Sequence, residues 1–420
     1  MSAYDQATQD ALVSSYDDIY LVAGARTPFA DYTGVLRNIS PTDLGIFAAR
    51  ALFKKSAIDA KDVDFVVAGN MAQSSYDAYL LPRHIGLYSG VRQSAPSMLV
   101  QRLCATGFEA ILTAADQIKL GKAQVALVVG AESMSRNPIA AYTHRSGFRM
   151  GQVEFKDFLW EATIDPAPGI GMGHTAENLA KQYDISREQV DAFAERSFSA
   201  ALAAQEAGYF DDEVVPVTNQ IWSLDGYNDR SLKLADRATE FAKDGHVRPS
   251  PMDILQKLRP AFGGVQTGGN SSGIVDGAAS VIVASGDYVR HHGLTPLAKI
   301  RGGAVAGVPP EIMGIGPVPA IRAVLNAQSL TVDDIARYEI NEAFAAQYIA
   351  CEKELGLQRD RVNVNGGAIA IGHPLGVTGV RLTHTVSRQI AQGAGRFGIS
   401  SACAGGGQGI AVLVEAVGEQ

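Results

Sequence analysis

The sequence predicts an α/β protein that contains two copies of one structural unit. Along the 420 residues, short apolar runs typical of buried strands alternate with segments whose apolar residues recur at helical spacing. This alternation is typical of sheets covered by helices. Residue types from the first half of the chain also recur in the second half at one constant spacing, which indicates an internal duplication.

The elements of the first half follow one another in a simple order. The predicted strands there are residues 18–24, 63–70, 125–129 and 277–284. An amphipathic helix at 42–55 follows the first strand. Residues 99–120 contain the end of a strand, a turn around Cys104 and a second helix.

The second half repeats this order. Its predicted strands are residues 297–305, 338–340, 397–401 and 409–414, with a helix at 318–325. Gly107 recurs as Gly379 and Gln117 recurs as Gln389, and both pairs are separated by 272 residues. The same spacing places Cys104 opposite Gly376, so the turn around Cys104 and the glycine-rich loop around Gly376 are predicted to be equivalent.

Residues 139–264 have a different character. Prolines, arginines and irregular polar sequence surround helical patterns at 174–183 and 187–207. We interpret this span as an inserted region that lies over the rest. The predicted domains are an N-terminal half of residues 1–138 completed by 265–294, a loop domain of residues 139–264, and a C-terminal half of residues 295–420.

Composition argues against several classes of function. The formal net charge of −8 argues against a nucleic-acid partner, and no run of about 18 apolar residues predicts a membrane-spanning helix. The first residues resemble neither a signal peptide nor a transit segment, and the last four are not a peroxisomal address. The three cysteines suggest a reducing compartment, so we expect a cytoplasmic protein without membrane insertion.

The sequence predicts neither a metal site nor a nucleoside triphosphate site. His291 and His292 are adjacent, but no further ligand stands at a usual spacing from them. The glycine-lysine pattern of a phosphate-binding loop in nucleotide triphosphatases does not occur.

The stretch from 363 to 379 holds five glycines and a single histidine, His373. Pro374 restricts the backbone of the residue before it, so His373 should lie on a stiff loop. Apolar residues at helical spacing follow this loop. A glycine-rich loop that leads into a helix can present N–H groups to an anion or to a polarised carbonyl. The alternative is a phosphate-binding loop in which the histidine is incidental.

Cys104 precedes a predicted helix. A cysteine at a helix start lies at the positive end of the helix dipole, which lowers the pKa of the thiol and suits a nucleophile. The alternative is a buried structural cysteine. A second cysteine, Cys351, lies in a helical run and is expected to serve packing.

Two further residues with functional side chains follow the ends of predicted strands. Cys403 follows a short predicted strand and precedes three glycines at 405–407, which would let backbone N–H groups face a substrate oxygen. A mobile surface loop is the alternative. Asn341 follows strand 338–340 and could hold a water or a carbonyl oxygen, whereas the commoner role of such an asparagine is a helix N-cap.

Taken together, these stretches resemble the thiolase family, the acetyl-CoA acetyltransferases and 3-ketoacyl-CoA thiolases. The resemblance covers nearly the whole chain. It is carried by the Cys104 segment and by residues 173–178, 258–262, 270–277, 341–344, 366–379 and 403–409. It implies the thiolase fold, in which two α/β halves form five layers under an inserted loop domain, and it implies a homodimer or homotetramer.

The resemblance also implies catalytic roles. Cys104 is then the nucleophile that carries the acyl group, and His373 activates it and helps to bind a thioester oxygen. Cys403 is the acid or base that moves a proton at the substrate α-carbon or on the leaving thiol. Asn341 holds a water that forms one oxyanion hole with His373, and the N–H groups of Cys104 and Gly405 form the other.

For coenzyme A, which is a substrate and not a bound cofactor, the family pattern implies a further set of contacts. Ser272 and Phe262 lie near the pantetheine, Arg248 lies near the nucleotide end, and Met172 and Phe344 line the acyl pocket. Some family members carry a histidine directly before this methionine, but here Gly171 stands there.

We therefore predict a CoA-dependent acyltransferase that cleaves 3-ketoacyl-CoA with CoA or joins two acyl-CoA molecules. Two alternatives are a ketoacyl synthase that acts on carrier proteins and a non-catalytic CoA-binding or lipid-binding scaffold. The pairing of Cys104 with Cys403, rather than with a second histidine, favours the thiolase type. The sequence does not indicate the preferred acyl chain length or direction.

Overall fold

The strands of the computed structural model, which describes residues 4–142 and 144–418, form one large sheet and four short ribbons. In chain order, the strands are β1 Leu12–Ser15, β2 Ile19–Arg26, β3 Ala30–Asp31, β4 Phe65–Gly69, β5 Ser97–Val100, β6 Val125–Glu132, β7 Ile139–Ala140, β8 Lys156–Asp157, β9 Ile164–Asp165, β10 Ile170–Gly171, β11 Val217–Thr218, β12 Gln220–Trp222, β13 Arg230–Leu232, β14 Glu240–Phe241, β15 Val275–Ser285, β16 Ala298–Gly307, β17 Ile335–Ile340, β18 Phe397–Ala404 and β19 Gln408–Glu415.

The helices of the described residues include several long ones that cover the sheet. They are α1 Asp5–Gln9, α2 Pro41–Lys55, α3 Leu81–Tyr88, α4 Thr106–Lys119, α5 Phe158–Glu161, α6 Met172–Gln182, α7 Arg187–Glu206, α8 Met252–Leu255, α9 Gly286–His291, α10 Pro317–Ala327, α11 Ala345–Leu355, α12 Ala368–Ile371 and α13 Thr378–Ala391. A 3₁₀ helix at Pro310–Ile315 also borders the site described below. None of the described helices is long and apolar enough to cross a membrane.

The predicted duplication appears as two identical patterns of strand pairing. In the first half, β4 and β6 are parallel, and the pairs β6 with β15 and β15 with β2 are antiparallel. In the second half, β17 and β18 are parallel, and β18 with β19 and β19 with β16 are antiparallel. The two sets join where Leu21 and Tyr20 of β2 pair with Ala298 and Lys299 of β16, and β1 also pairs with β16.

Helices separate and cover these two sets of strands, which gives five layers. Helices α2 and α3 pack on the outer face of the first set, and α10 packs on the outer face of the second. Helices α4 and α13 pack against each other between the two sets. Since helices lie on both faces, β6 and β15 are apolar and buried almost throughout instead of alternating.

Equivalent glycines let the two inner helices approach closely. A Cβ atom on Gly107 would lie 2.7 Å from the backbone nitrogen of Val380, and one on Gly379 would lie 2.1 Å from that of Phe108. A side chain at either position would therefore push α4 and α13 apart. The repeat of this glycine after 272 residues has a direct packing reason, because each copy faces the other.

The region 139–264 contributes to the interior of the molecule. Leu179 of α6 and Val190 and Phe193 of α7 are buried in the same apolar core as the second half. These helices match the patterns predicted at 174–183 and 187–207. The division of the chain into three domains at these boundaries stays a prediction.

A buried network of charges also ties this region to both halves. The Arg26 guanidinium donates to Glu213 at 2.8 Å and to Asp244 at 2.7 Å, and Arg388 of α13 donates to Glu213 at 3.0 Å. Burial alone would raise the pKa of Glu213, but Arg26, His384 and Arg388 lower it to about 2. The network therefore holds a permanently charged carboxylate inside the protein.

The first three and the last two residues, on which part of the targeting interpretation depends, lie outside the described residues. Among the strands, the largest difference from the prediction concerns Cys403. It was expected just past a strand, but it lies inside β18, where it pairs with Gly409 of β19.

Candidate active site

Cys104 lies in a tight turn between β5 and α4. The preceding residue, Leu103, has φ of 48°, a left-handed conformation that costs energy for a leucine. The Thr106 hydroxyl stabilises this turn, because it accepts from the Arg102 N–H at 2.8 Å and donates to the Leu103 carbonyl at 2.7 Å. The thiol is thus presented from a strained but well-fixed backbone just before the helix.

Burial raises the pKa of the Cys104 thiol to about 11. The backbone N–H groups of Gly405 and of Cys104 itself act in the opposite direction and lower this pKa, while the nearby Glu132 raises it further. The prediction that the helix start lowers this pKa is wrong for the free protein, because removal of a thiolate from water outweighs the dipole. A base is needed to generate the thiolate.

His373 is the candidate base, and its neighbours define its tautomer. Its Nδ1 lies 2.6 Å from the Thr378 hydroxyl oxygen, and that hydroxyl donates to the Pro374 carbonyl at 3.2 Å. Nδ1 must therefore carry the proton and donate to Thr378. Nε2 is left as an acceptor, which agrees with the Asn341 amide nitrogen 3.3 Å away.

The imidazole is buried and neutral. Burial, with a smaller contribution from the positive charge of Arg381, lowers the pKa of His373 to about 3. The Oδ1 atom of Asn341 is buried, and among the described residues it has no hydrogen-bond partner. Asn341 does not cap a helix, since Phe344 occupies the N-cap of α11, so that alternative is wrong.

Two buried glutamates hold the loop that carries His373. Glu132, at the end of β6, accepts from the Gly376 N–H at 2.8 Å, from the Met71 N–H at 3.0 Å and from the Asn70 side chain at 2.9 Å. Glu342 accepts from the Ile369 N–H at 3.1 Å. Burial raises the pKa of Glu132 to about 7, although the N–H groups that surround it favour the charged form.

Sequence reasoning missed both glutamates and Thr378. Their partners lie up to 244 residues away along the chain, so neither spacing nor periodicity reveals them. One signal was available for Thr378: it stands 272 residues after Thr106 and begins α13 as Thr106 begins α4. The repeat therefore marked both threonines as residues at equivalent helix starts.

Cys403 closes the other side of the site. The strands β18 and β19 are joined by the three glycines 405–407, with φ of 74° at Gly406 and 81° at Gly407. Cys403 and Gly405 are buried, so the alternative of a mobile surface loop is wrong. Burial and the nearby Cys104 raise the pKa of Cys403 well above its usual value. The two cysteines therefore share one environment, and Gly405 contacts the first of them.

Apolar residues surround both sulfur atoms. Cys104 packs against a buried cluster formed by Met71, Ala72, Met134, Leu159 and Leu375. Cys403 belongs to a cluster with Met313 and Ala343, against which Met172 and Phe344 pack. A Cβ on Gly405 would lie 3.4 Å from the Met172 sulfur, so the expected acyl-pocket residues do lie beside the reactive turn.

The residues expected near pantetheine continue from this cluster. The ring of Phe262 lies 6.2 Å from that of Phe344 and 5.5 Å from that of His174, in edge-to-face arrangements. The backbone N–H of Ser272 donates to the Ala343 carbonyl at 3.0 Å. These contacts link Phe262 and Ser272 to the segment of Ala343 and Phe344 that packs beside Cys403.

Arg248, expected near the nucleotide end of coenzyme A, is exposed and anchored. Its guanidinium lies 5.4 Å from the centre of the Phe198 ring and donates to the His246 carbonyl at 3.1 Å. Gly171, where some family members have a histidine, lies close to another histidine, His174. A Cβ placed on it would lie 3.4 Å from Nδ1 of His174.

The remaining cysteine lies in the packed interior, as expected. Cys351 is buried in α11 and donates to the Gly314 carbonyl at 3.2 Å, which is a packing role. Among the described residues there is no group of three or more histidine, cysteine or acidic side chains that could bind a metal ion.

Comparison with known proteins accounts for nearly the whole chain. Residues 19–287 match the model of the thiolase N-terminal domain, and residues 294–416 match that of the thiolase C-terminal domain. The mitochondrial 3-ketoacyl-CoA thiolase of Homo sapiens is 42% identical over 401 residues, which cover 94% of this chain and 98% of the relative.

Two solved structures extend this similarity to the fold. A human mitochondrial 3-ketoacyl-CoA thiolase in complex with CoA superimposes with a TM-score of 0.89 at 41% identity, over 95% of this chain and 98% of the other. The Bacillus anthracis acetyl-CoA acetyltransferase has a TM-score of 0.87 at 39% identity, over 96% of this chain and its entire own length.

Proposed function

The chain belongs to the thiolase family, and on that premise we propose how its own residues carry out the reaction. The protein is an acyl-CoA C-acyltransferase of fatty acid metabolism with coenzyme A as substrate. It cleaves 3-ketoacyl-CoA with CoA or condenses acyl-CoA molecules in the reverse direction.

In the cleavage direction, Nε2 of His373 takes the proton from the Cys104 thiol, and the sulfur attacks the keto carbon of the substrate. The bond between that carbon and the α-carbon then breaks. The electron pair goes to the α-carbon, which takes a proton from Cys403, and acetyl-CoA leaves. The acyl group stays on Cys104 as a thioester.

The second half of the reaction uses the same groups. Cys403, now a thiolate, takes the proton of an incoming CoA thiol, and that sulfur attacks the acyl carbon on Cys104. The bond between that carbon and the Cys104 sulfur then breaks, the new acyl-CoA leaves, and the Cys104 thiolate takes back the proton held by His373. The N–H groups of Cys104 and Gly405 stabilise the oxyanion at that carbon, and a water on Asn341 acts with His373 at the other oxyanion. Loss of one such donor typically costs ~3 kcal/mol of transition-state stabilisation.

One observation carries this assignment. Gly405 lies beside the turn that carries Cys104, because a Cβ on it would lie 3.3 Å from the Leu103 side chain, and Gly405 is two residues from Cys403. A single hairpin turn therefore brings an oxyanion donor and a second thiol to the nucleophile. The neutral Nδ1–H tautomer of His373, fixed by Thr378, supplies a base with a free lone pair.

The test uses acetoacetyl-CoA and CoA with purified protein. The wild type is expected to form acetyl-CoA, and C104A is expected to lose roughly 10⁴-fold or more in kcat, as nucleophile removal does in other acyl-transfer enzymes. A C351A variant is the matched control, because Cys351 only packs, and it should keep normal activity. Turnover by C104A within tenfold of wild type would contradict the nucleophile assignment.

We further propose that the enzyme is a homo-oligomer. Strand β5 lies at the end of the described sheet order, and its Met98 is exposed, as are Tyr76 and Tyr79 in the segment before α3. Exposed apolar groups at a sheet edge favour association with a second copy. Size-exclusion chromatography with light scattering should give at least twice the mass of the chain, and a monomer would contradict this.

We propose the cytoplasm as its compartment, supported by the three unpaired cysteines. The human relative is named as mitochondrial, so cell fractionation with an antibody to the protein is the appropriate test. Recovery with mitochondria or another organelle would overturn this placement.

A further inference from the structure

His246 lies between two parts of the site that the proposed mechanism treats separately. Its backbone segment is tied to the N-terminal half, because Asp244 pairs with the buried Arg26 and the Gly245 N–H donates to the Phe29 carbonyl at 2.8 Å. The ring itself is mostly buried, and its Nδ1 lies 2.5 Å from the Asp31 carboxylate. Both the backbone and the ring of His246 are thus fixed.

On one side, His246 contacts Arg248, the exposed cation that is proposed to lie near the nucleotide end of coenzyme A. Its carbonyl accepts from Arg248, and its ring lies 6.1 Å from Phe198, the same ring on which the Arg248 guanidinium rests. Arg248 contributes to the lowered pKa of Asp31, after the larger effect of His246. His246, Phe198 and Asp31 together therefore hold the guanidinium in one place.

On its other side, His246 packs directly on the backbone that supports the catalytic imidazole. A Cβ on Gly273 would lie 2.7 Å from the His246 ring. The Gly273 carbonyl accepts a hydrogen bond from the backbone N–H of His373 at 2.9 Å. The Gly273 N–H donates to the Ala368 carbonyl at 3.2 Å. Movement of the His246 ring would therefore shift the backbone atom that fixes His373.

We propose that His246, held by Asp31, is a positioning residue that serves both ends of the CoA thioester. It orients Arg248 for the phosphates of the nucleotide and keeps Gly273, and through it His373, in the reactive position. The proposal depends on the proposed roles of Arg248 in CoA binding and of His373 in catalysis.

Two substrates separate the two effects. Acetoacetyl-CoA carries the nucleotide, whereas acetoacetyl-N-acetylcysteamine has the same reacting carbons without it. R248A should raise KM for the CoA substrates about tenfold, since it removes charge-assisted hydrogen bonds, and should leave the truncated substrate unaffected. H246A should raise the same KM and also lower kcat about tenfold with both substrates, because His373 is displaced.

A general loss of stability would not produce both the rise in KM for the CoA substrates and the fall in kcat with both substrates. H246A with normal kcat on the truncated thioester, or with normal KM for CoA, overturns the proposal. H292A is the matched control: that ring is exposed, bonds only to the Tyr288 carbonyl among the described groups, and should change neither constant. If H246A fails to fold, D31N must show the same two-substrate pattern at smaller amplitude, and its absence overturns the proposal equally.

The failure of the underlying mechanism would look different. If R248A leaves KM for acetoacetyl-CoA unchanged, the CoA contact assigned to Arg248 is wrong, and the claim that His246 serves both ends falls with it. If H246A lowers kcat on the truncated thioester while C104A remains active, the error lies in the nucleophile assignment, and the positioning of the loop by His246 is upheld.

Discussion

The two inner helices begin in equivalent turns that have acquired different chemistry. Before α4 stands Cys104, and before α13, at the same place in the repeat, stands Gly376. Thr106 uses its hydroxyl to fix the backbone of the first turn, whereas Thr378 bonds to the ring of His373 in the second. The duplicated unit thus supplies the turn that carries the nucleophile and the loop that carries the base. Both lie at the starts of the two inner helices, which pack against each other.

The difference at Gly376 also has a steric cause. A Cβ at this position would lie 2.9 Å from the Glu132 carboxylate and 3.0 Å from the Gly69 carbonyl. Only glycine lets its N–H reach Glu132. The second copy therefore lacks room for the thiol that the first copy carries, and the site is asymmetric by packing as well as by chemistry.

The largest expected effect comes from filling that space. G376A should lower kcat by roughly 10²-fold or more, because the loop that carries His373 must move away from Glu132 by a few tenths of an ångström or more. G307A is the control, since a Cβ there meets nothing within 4 Å. Steady-state thiolysis of acetoacetyl-CoA measures both, and equal activity of the two variants would contradict the steric argument.

The next comparison uses the equivalent threonines. T378V removes the acceptor for Nδ1–H of His373, so we expect kcat to fall by ~10-fold to 10²-fold while the alkylation rate of Cys104 changes little. T106V loosens the turn around Cys104 and should change the alkylation rate. Kinetics and iodoacetamide labelling with mass spectrometry distinguish them, and identical behaviour of the two variants would contradict the division of roles.

The last comparison concerns pH. Since the pKa of Cys104 is raised from 9.0 to about 11, the thiolate fraction of the free enzyme should keep rising between pH 7 and 10. The rate of Cys104 alkylation by iodoacetamide should then increase close to tenfold per pH unit in that range. His373, with a pKa of about 3, adds no inflection there. A plateau below pH 9 would instead indicate the lowered pKa that the helix start alone suggests.

The repeat could be predicted from the sequence because local backbone geometry determines where glycines and apolar residues occur. The strands and helices around Gly107 and Gly379 lie where periodicity placed them, and the pairing patterns of the two halves agree with the 272-residue spacing. The comparisons confirm the thiolase family and fold. The residue roles at the site stay predictions, and among the predicted side chains the structure places Asn341 beside His373.

What could not be predicted depends on contacts between distant segments. Glu132 approaches Gly376 only in the folded protein, so its part in fixing the loop has no local signature. The pKa of Cys104 was misjudged because a dipole is visible in the sequence but burial is not. Cys403 was placed past its strand because glycines look like a loop, whereas pairing with β19 extends the strand to Ala404.

The buried Arg26 has a consequence for the order in which the chain becomes stable. Its acidic partners lie at positions 213 and 244, and removal of one partner from a buried ion pair costs on the order of 3–5 kcal/mol. A growing polypeptide that ends before Glu213 would hold a desolvated guanidinium without a counter-charge. We therefore expect the N-terminal strands to become resistant to proteolysis during synthesis only after the segment through Asp244 has emerged, and limited proteolysis of stalled chains measures this step.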